Sequence, residues 1–276
     1  MRRQPELTQL QECEYLEGQS PVHAVHRLYA YRKSLSTKAF AARGKKLIRC
    51  PLCLLGVQFC TCEHRKQLQT DISFMLIMYD DEVLKPTNSG RLIADLIPDT
   101  SAYLWSRTEP NQQMLEQLAD PQYQPFLIFP EQYKQPDQQV VSQIAKSGLI
   151  QDRKPLFVVL DGSWRQAIKM FRKSDYLHQL PVLSISPDAL ATYALRQGSH
   201  DFQLGTAEVA ALCLAAIEEP ENGIALQRWF ELFIESSLLG RNRRLKSSIK
   251  PIDHYIENFN TAYQAALSMS KPTVER

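Results

Sequence analysis

Five short apolar runs recur through the middle of the chain, each separated from the next by a stretch long enough for a helix. They are Ser73–Tyr79 (S-F-M-L-I-M-Y), Ser101–Ser106, Phe126–Phe129, Leu156–Leu160 and Val182–Ser186. A strand with one wet face alternates apolar and polar residues. A run that is apolar almost throughout is a strand buried on both faces, as in a parallel sheet. Helices are predicted over Thr87–Ile97, Pro110–Leu118, Gln138–Lys146, Trp164–Lys173 and Thr206–Ile217. Strands alternating with helices build right-handed βαβ units. The fold class expected is therefore α/β, a mostly parallel sheet with helices on both faces. Around it the chain divides into a basic helical arm over 1–46 with Gly44 as its stop, a cysteine module over 47–66, the α/β core over 67–220, and a basic helical extension over 221–276. The extension reads as two helices, 224–239 and 252–268.

Several classes are excluded early. Glycine is scarce, at 10 of 276 residues, and neither G-x-G-x-x-G nor G-x-x-x-x-G-K-[ST] occurs, so the Rossmann and P-loop fingerprints are missing. The run Phe74–Met78 is far shorter than the ~18 residues of a membrane helix. The start, Met1–Glu6, has no apolar stretch behind it of the kind a secretory leader needs. A cytoplasmic protein without membrane contact is expected, and a monomer.

The net charge of +2 conceals a segregation. Gly18–Cys62 carries eight basic residues and no acid, among them Arg32, Lys33, Lys45 and Lys46. Ser236–Ile252 carries five, including Arg241, Arg243 and Arg244, again with no acid. The rest of the chain holds 19 basic residues against all 30 acidic ones. Such separation is the footprint of a polyanion binder. Tyr29, Tyr31 and Phe40 lie among the first set of cations, where aromatic rings could stack on unpaired bases.

Four of the six cysteines fall within thirteen residues, as Cys50-Pro-Leu-Cys53 and Cys60-Thr-Cys62. In a cytosolic chain such clustering reads as metal ligation rather than disulfides. Four thiolates close a tetrahedral structural zinc site and leave no open position for catalysis. His64 reads as a surface neighbour rather than a fourth ligand. Cys213, in the apolar stretch Ala210–Ala216, reads as core.

Ligands of open parallel sheets bind beyond the carboxyl ends of the strands. Three unusual sequences sit there: Phe129-Pro130-Glu131, Asp161-Gly162-Ser163-Trp164 and Leu204-Gly205-Thr206-Ala207-Glu208. Asp161 is a carboxylate at the end of an apolar strand, and Gly162 permits close backbone approach. Ser163 is a candidate helix cap, Trp164 a large apolar wall.

Taken together, these residues resemble the DTW-domain family, in particular the tRNA-uridine aminocarboxypropyltransferases. Asp161-Gly-Ser-Trp164 is similar to the family's Asp-x-Thr-Trp, and Asn88-Ser89-Gly90-Arg91-Leu92 to its Asn-Thr-Gly-Arg-Leu. Phe129-Pro130, Tyr193 with Arg196, and Thr206-Ala-Glu208 look like three further blocks. The resemblance covers about residues 46–220. It departs at Gly205, where the family usually has Ser, and at Val209, where it has Ala, which shifts the ligand-holding role toward Thr206. It implies a SPOUT-like fold with a C-terminal knot, S-adenosylmethionine as co-substrate and tRNA as partner. The implied reaction moves a 3-amino-3-carboxypropyl group to N3 of a uridine, at position 47 of the variable loop, and releases methylthioadenosine. Asp161 is then the general base, and Trp164 stacks on the target base or packs its helix. Burial against Trp164 is expected to raise the Asp161 pKa. The adenosine is expected along Leu127, Phe129, Pro130, Leu160, Gly162 and Ser163, with Gly205 and Thr206 opposite. Arg91 pairs with the ligand carboxylate or an RNA phosphate, and Arg196 contacts phosphate. Two other readings are a methyltransferase acting on RNA with the same co-substrate, and a zinc-bearing nucleic-acid-binding module without catalysis.

Overall fold

The computed structural model describes residues 22–38, 40, 47–141, 149–150, 152–184, 205–241 and 252–269. Its centre is a six-stranded sheet: β1 (Ser73–Met78), β2 (Thr100–Leu104), β3 (Tyr123–Ile128), β4 (Val140–Val141), β5 (Lys154–Asp161) and β6 (Val182–Leu183). The strands lie in the order β2-β1-β5-β3-β6-β4 and every described pairing is parallel. All six residues of β1 are buried, as are seven of the eight in β5. That explains why these strands read as unbroken apolar runs.

The period-two alternation sorts the side chains onto two faces. Phe74, Leu76, Met78, Phe126, Ile128, Phe157 and Val159 point to one side. Met75, Ile77, Leu127, Leu156, Val158 and Leu160 point to the other. The second face is covered by α3 (Gln112–Ala119) and α4 (Trp164–Arg172), through Met114, Ala167, Met170 and Phe171. The first is covered by α2 (Gly90–Leu96) and α5 (Thr206–Ala216), and beyond them by α6 (Pro220–Arg241) and α7 (Ile252–Met269). The α6–α7 pair closes over Trp229, Phe233 and Phe259, with the Trp229 and Phe259 rings 4.9 Å apart. The doubly covered parallel α/β sheet expected from the pattern is the one found.

Helix starts follow local chemistry. Asn111 caps α3 by accepting from the Met114 amide at 3.0 Å. Gln166 Oε1 accepts from the Ser163 amide at 2.7 Å, completing a capping box on α4. Glu208 Oε2 accepts from the Gly205 amide at 2.6 Å and holds the start of α5.

One expectation is corrected. The helix predicted over Gln138–Lys146 does not begin there: Val140 and Val141 form the edge strand β4, paired with β6, and residues 142–148 lie outside the described residues. Two β-branched residues at a sheet edge satisfy the ladder without showing any period of their own. In its described part the N-terminal segment is helical and packs on the core. Helix α1 (Ala24–Ser34) buries Val25 and Leu28 against the core. The knot implied by the resemblance would involve the chain between β6 and α5, residues 185–204, outside the described residues. Among the described residues no helix is long and apolar enough to cross a membrane.

Candidate active site

The chain leaves β1 toward β2 on one side and leaves β5 toward β6 on the other. Between those two adjacent strands the connections diverge, and it is beyond the carboxyl ends of such a pair that open parallel sheets bind their ligands. Asp161 is the last residue of β5, in register with Met78 at the end of β1. Its carbonyl accepts from the Tyr79 amide at 2.8 Å, which ties the two strand ends together.

The Asp161 side chain is only 2% exposed. Oδ2 accepts from Asn88 Nδ2 at 2.6 Å, and Oδ1 from the Thr206 hydroxyl at 2.5 Å. The Asn88, Asp161 and Thr206 blocks, far apart in sequence, thus meet on one carboxylate. Gly90 makes room for it: a Cβ there would stand 2.6 Å from Asp161 Oδ2. Burial pushes the Asp161 carboxyl up to about 6, with the Thr206 and Asn88 hydrogen bonds pulling partly back and the nearby Glu82 charge adding to the rise. The expected rise is present, but its wall is Asn88, Gly90 and Thr206 rather than Trp164. A buried carboxylate with neutral partners stays exchangeable near neutral pH, as a general base requires.

Trp164 begins α4 and is 44% exposed. One side of its ring stacks on Phe129 at 5.6 Å, and Tyr133 meets it edge-on at 5.5 Å. It therefore packs its helix and still offers surface to solvent. Leu127, Phe129 and Leu160 are core side chains, so only their backbone could face a ligand. The Leu127 amide is already engaged with Pro181 O and that of Phe129 with Leu183 O. Pro130, Gly162, Ser163 and Gly205 are at least partly exposed at the strand and helix ends. At Gly162 a Cβ would crowd Tyr79 Cβ at 3.2 Å, so the bare backbone there serves packing as well as access.

Arg91 departs from both expected placements. It is neither at the surface nor turned to the strand ends; it is 2% exposed and its guanidinium donates to Leu52 O at 3.0 Å and Val83 O at 3.3 Å. Its own amide donates to Asn88 Oδ1 at 3.1 Å. Arg91 thus joins the cysteine module to the residue that holds Asp161. Its helix is wholly buried, which draws the long side chain inward to backbone carbonyls.

The four cysteines converge. Cys50 and Cys62 sulfurs are 3.7 Å apart, those of Cys53 and Cys60 3.8 Å. A tetrahedron with ~2.3 Å zinc–sulfur bonds has an edge of about 3.8 Å, so the cluster has the dimensions of a metal site such as one for zinc. Hydrogen bonds from Cys53 and Cys62 hold the Cys50 thiol far below its ordinary value, while the one with Cys50 holds Cys53 up at about 12. A divalent cation would resolve that mutual opposition by taking all four as thiolates. His64 stands outside the group, 3.3 Å from Glu63. Cys213 is fully buried, as expected of core.

Of the expected RNA-contacting residues, Arg32 forks onto Asp80 at 2.8 and 3.1 Å, and Lys33 is exposed. Tyr29 and Tyr31 pack in part against the core, while Phe40 is exposed. Arg241 is the last residue of α6. Lys45, Lys46, Tyr193, Arg196, Arg243 and Arg244 lie outside the described residues.

Sequence reasoning missed a second buried carboxylate. Asp95, on α2, accepts from His23 Nε2 at 3.0 Å, Arg65 at 3.2 Å and Trp229 Nε1 at 3.1 Å. Only the odd placement of an acid in the apolar stretch Leu92–Ile97 signalled it.

Fold and site together define an α/β protein with a buried carboxylate cluster at the sheet's switch point and a four-cysteine cluster that could hold a metal. The family model of the DTW domain matches residues 47–238, and the chain belongs to the DTW-domain family. That membership is consistent with an enzyme that modifies tRNA. No solved structure matches the chain.

Proposed function

We propose that the protein transfers the 3-amino-3-carboxypropyl group of S-adenosylmethionine to N3 of a tRNA uridine. The observation that supports this most is the Asn88–Asp161–Thr206 cluster at the switch point, in a chain of the DTW family. S-adenosylmethionine, as co-substrate, supplies an electrophilic carbon on a sulfonium. The N3–Cγ bond forms as the Cγ–S bond breaks, and sulfur leaves with the electron pair as methylthioadenosine. The N3 proton needs an acceptor. Asp161 is buried, so it meets the base through Thr206, which is half-buried and donates to it. The Thr206 oxygen takes the N3 proton as its own proton passes to Asp161. Asn88 fixes the other carboxylate oxygen. Trp164, backed by Phe129, offers a ring on which a splayed uridine can stack. Because a sulfonium has three attackable carbons, positioning by the strand ends selects the outcome. The cysteine module, with zinc, is structural: all four ligand positions are cysteines.

The test incubates the purified chain with S-adenosylmethionine and bulk tRNA, then weighs the digested nucleosides. Aminocarboxypropyl-uridine with methylthioadenosine is expected. A methylated nucleoside with adenosylhomocysteine, or no modified nucleoside at all, overturns the reading.

A further inference from the structure

We propose that the outer face of α4, carrying Arg165, Lys169 and Arg172, is the surface along which the phosphate backbone of the RNA substrate docks on its way to the strand-end crevice. This rests on reading the substrate as RNA. From Ser163 to Ser174 the chain carries four basic residues and no acid. Positions 165, 169 and 172 share one helical face, opposite the buried Ala167, Met170 and Phe171. At 1.5 Å per residue the three span about 10 Å. All three are exposed, and Arg165 and Arg172 make no ion pair among the described residues.

Helix stability does not account for this pattern. The macrodipole favours cations in the last turn, which suits Arg172, but it disfavours one in the first turn, where Arg165 sits. Arg165 and Lys169 are also like charges four residues apart, an arrangement that repels. A polyanion lying along the face removes both penalties. Lys169 is held ready for it. Its Nζ donates to the Tyr79 hydroxyl at 3.0 Å and lies over the Tyr79 and Trp105 rings, 5.4 and 5.6 Å from their centroids. Tyr79 follows β1 and hydrogen-bonds the Asp161 carbonyl, so this cation is tied to the crevice itself. At the other end of the face stands Trp164, three residues past Asp161, with nearly half of its surface open. A strand held by the three cations therefore passes a ring on which an unpaired base can stack.

The experiment compares Arg165→Gln/Arg172→Gln with Arg153→Gln/Lys154→Gln, a two-charge control at the opposite end of the sheet. All four side chains are exposed, and unchanged melting curves confirm folding. Affinity for tRNA is measured from low to physiological salt. The α4 pair is expected to weaken binding at least tenfold at low salt and to flatten the slope of log affinity on log salt by about 1.5, near 0.7–0.9 per lost phosphate contact. The control pair is expected to change neither by more than about twofold. Equal losses from both pairs, or no loss from the α4 pair, overturn the surface. Nucleoside analysis of the wild type is read separately. Binding along α4 without aminocarboxypropyl-uridine defeats the reaction and leaves the surface. That product with unchanged binding by the α4 variant defeats the surface and leaves the reaction. Absence of tRNA binding by the wild type overturns both.

Discussion

Two carboxylates lie equally deep in this protein and sit in opposite electrostatic states. Asp161 is 2% exposed and Asp95 6%. Burial alone pushes both upward. Asp161 yields to it, reaching about 6, because its partners are a neutral amide and a neutral hydroxyl. Asp95 is instead brought down to about 2, as the His23 hydrogen bond and the neighbouring cations outweigh burial. Burial holds His23 below its own ordinary value, so the fixed positive charge in contact with Asp95 is Arg65. Depth therefore does not decide which acid can exchange a proton; the charge of its partners does. Asp95 staples α1, the cysteine module and α6 to α2. Asp161 joins three chain segments yet keeps a proton within reach of neutral pH.

Exchanging each acid for its amide should separate the two. Asp161→Asn is expected to lower kcat by about 10²–10⁴, the usual worth of a general base, with S-adenosylmethionine still bound in calorimetry. Near-normal turnover would reduce Asp161 to a packing group. Asp95→Asn removes the buried negative charge that Arg65 meets at 3.2 Å and that His23 and Trp229 also hydrogen-bond. It should cost about 3–5 kcal/mol in denaturant unfolding while kcat per folded molecule holds. If turnover falls as far as in the first variant at unchanged stability, the two acids do not differ in kind.

The pH signatures sharpen the contrast. With the Asp161 pKa raised from 3.8 to about 6, turnover should rise with pH and level off above about 6, falling roughly tenfold by pH 5. The same shift weakens folding as pH rises from about 4 to about 6, since the folded state there binds the extra proton. Asp95, lowered to about 2, contributes stability that is lost as pH falls from about 4 toward 2. Each amide variant should flatten only its own limb in melting curves taken across that range.

The relay through Thr206 pairs a large effect with the smallest one. Thr206→Val should approach Asp161→Asn in turnover, whereas Thr206→Ser, which keeps the hydroxyl, should stay within a few-fold of wild type. Equal behaviour of Val and Ser variants in single-turnover assays removes Thr206 from the proton path.

Much of the sheet was legible because β1 and β5 are covered on both faces and read as solid apolar runs. Strand β4 was not, since two edge residues carry no periodicity. Asp161 stood out as an acid at the end of such a run. Asn88 entered only through a resembling motif, because nothing local shows that an amide 73 residues earlier will reach a carboxylate. Arg91 was misplaced for the same reason: its burial is decided by the cysteine module folding over α2. The α4 stripe escaped because its three cations are few beside the two acid-free segments that dominated the charge count.

The strand order also has a consequence for how the molecule is made. Strand β5 inserts between β1 and β3, although it follows both in the chain. While residues up to about 150 emerge, the flank of β1 has no partner, and β3 cannot join β1 in a common sheet. From the completion of β1 until β5 emerges, the nascent chain therefore carries an unpaired apolar strand edge, the kind of surface that recruits chaperones. Even then the Asp161 carboxylate gains its last hydrogen bond only when Thr206 arrives. The Asn88–Asp161–Thr206 cluster is thus a late event of biogenesis, and a chain truncated before Thr206 would lack it however well its first strands had paired.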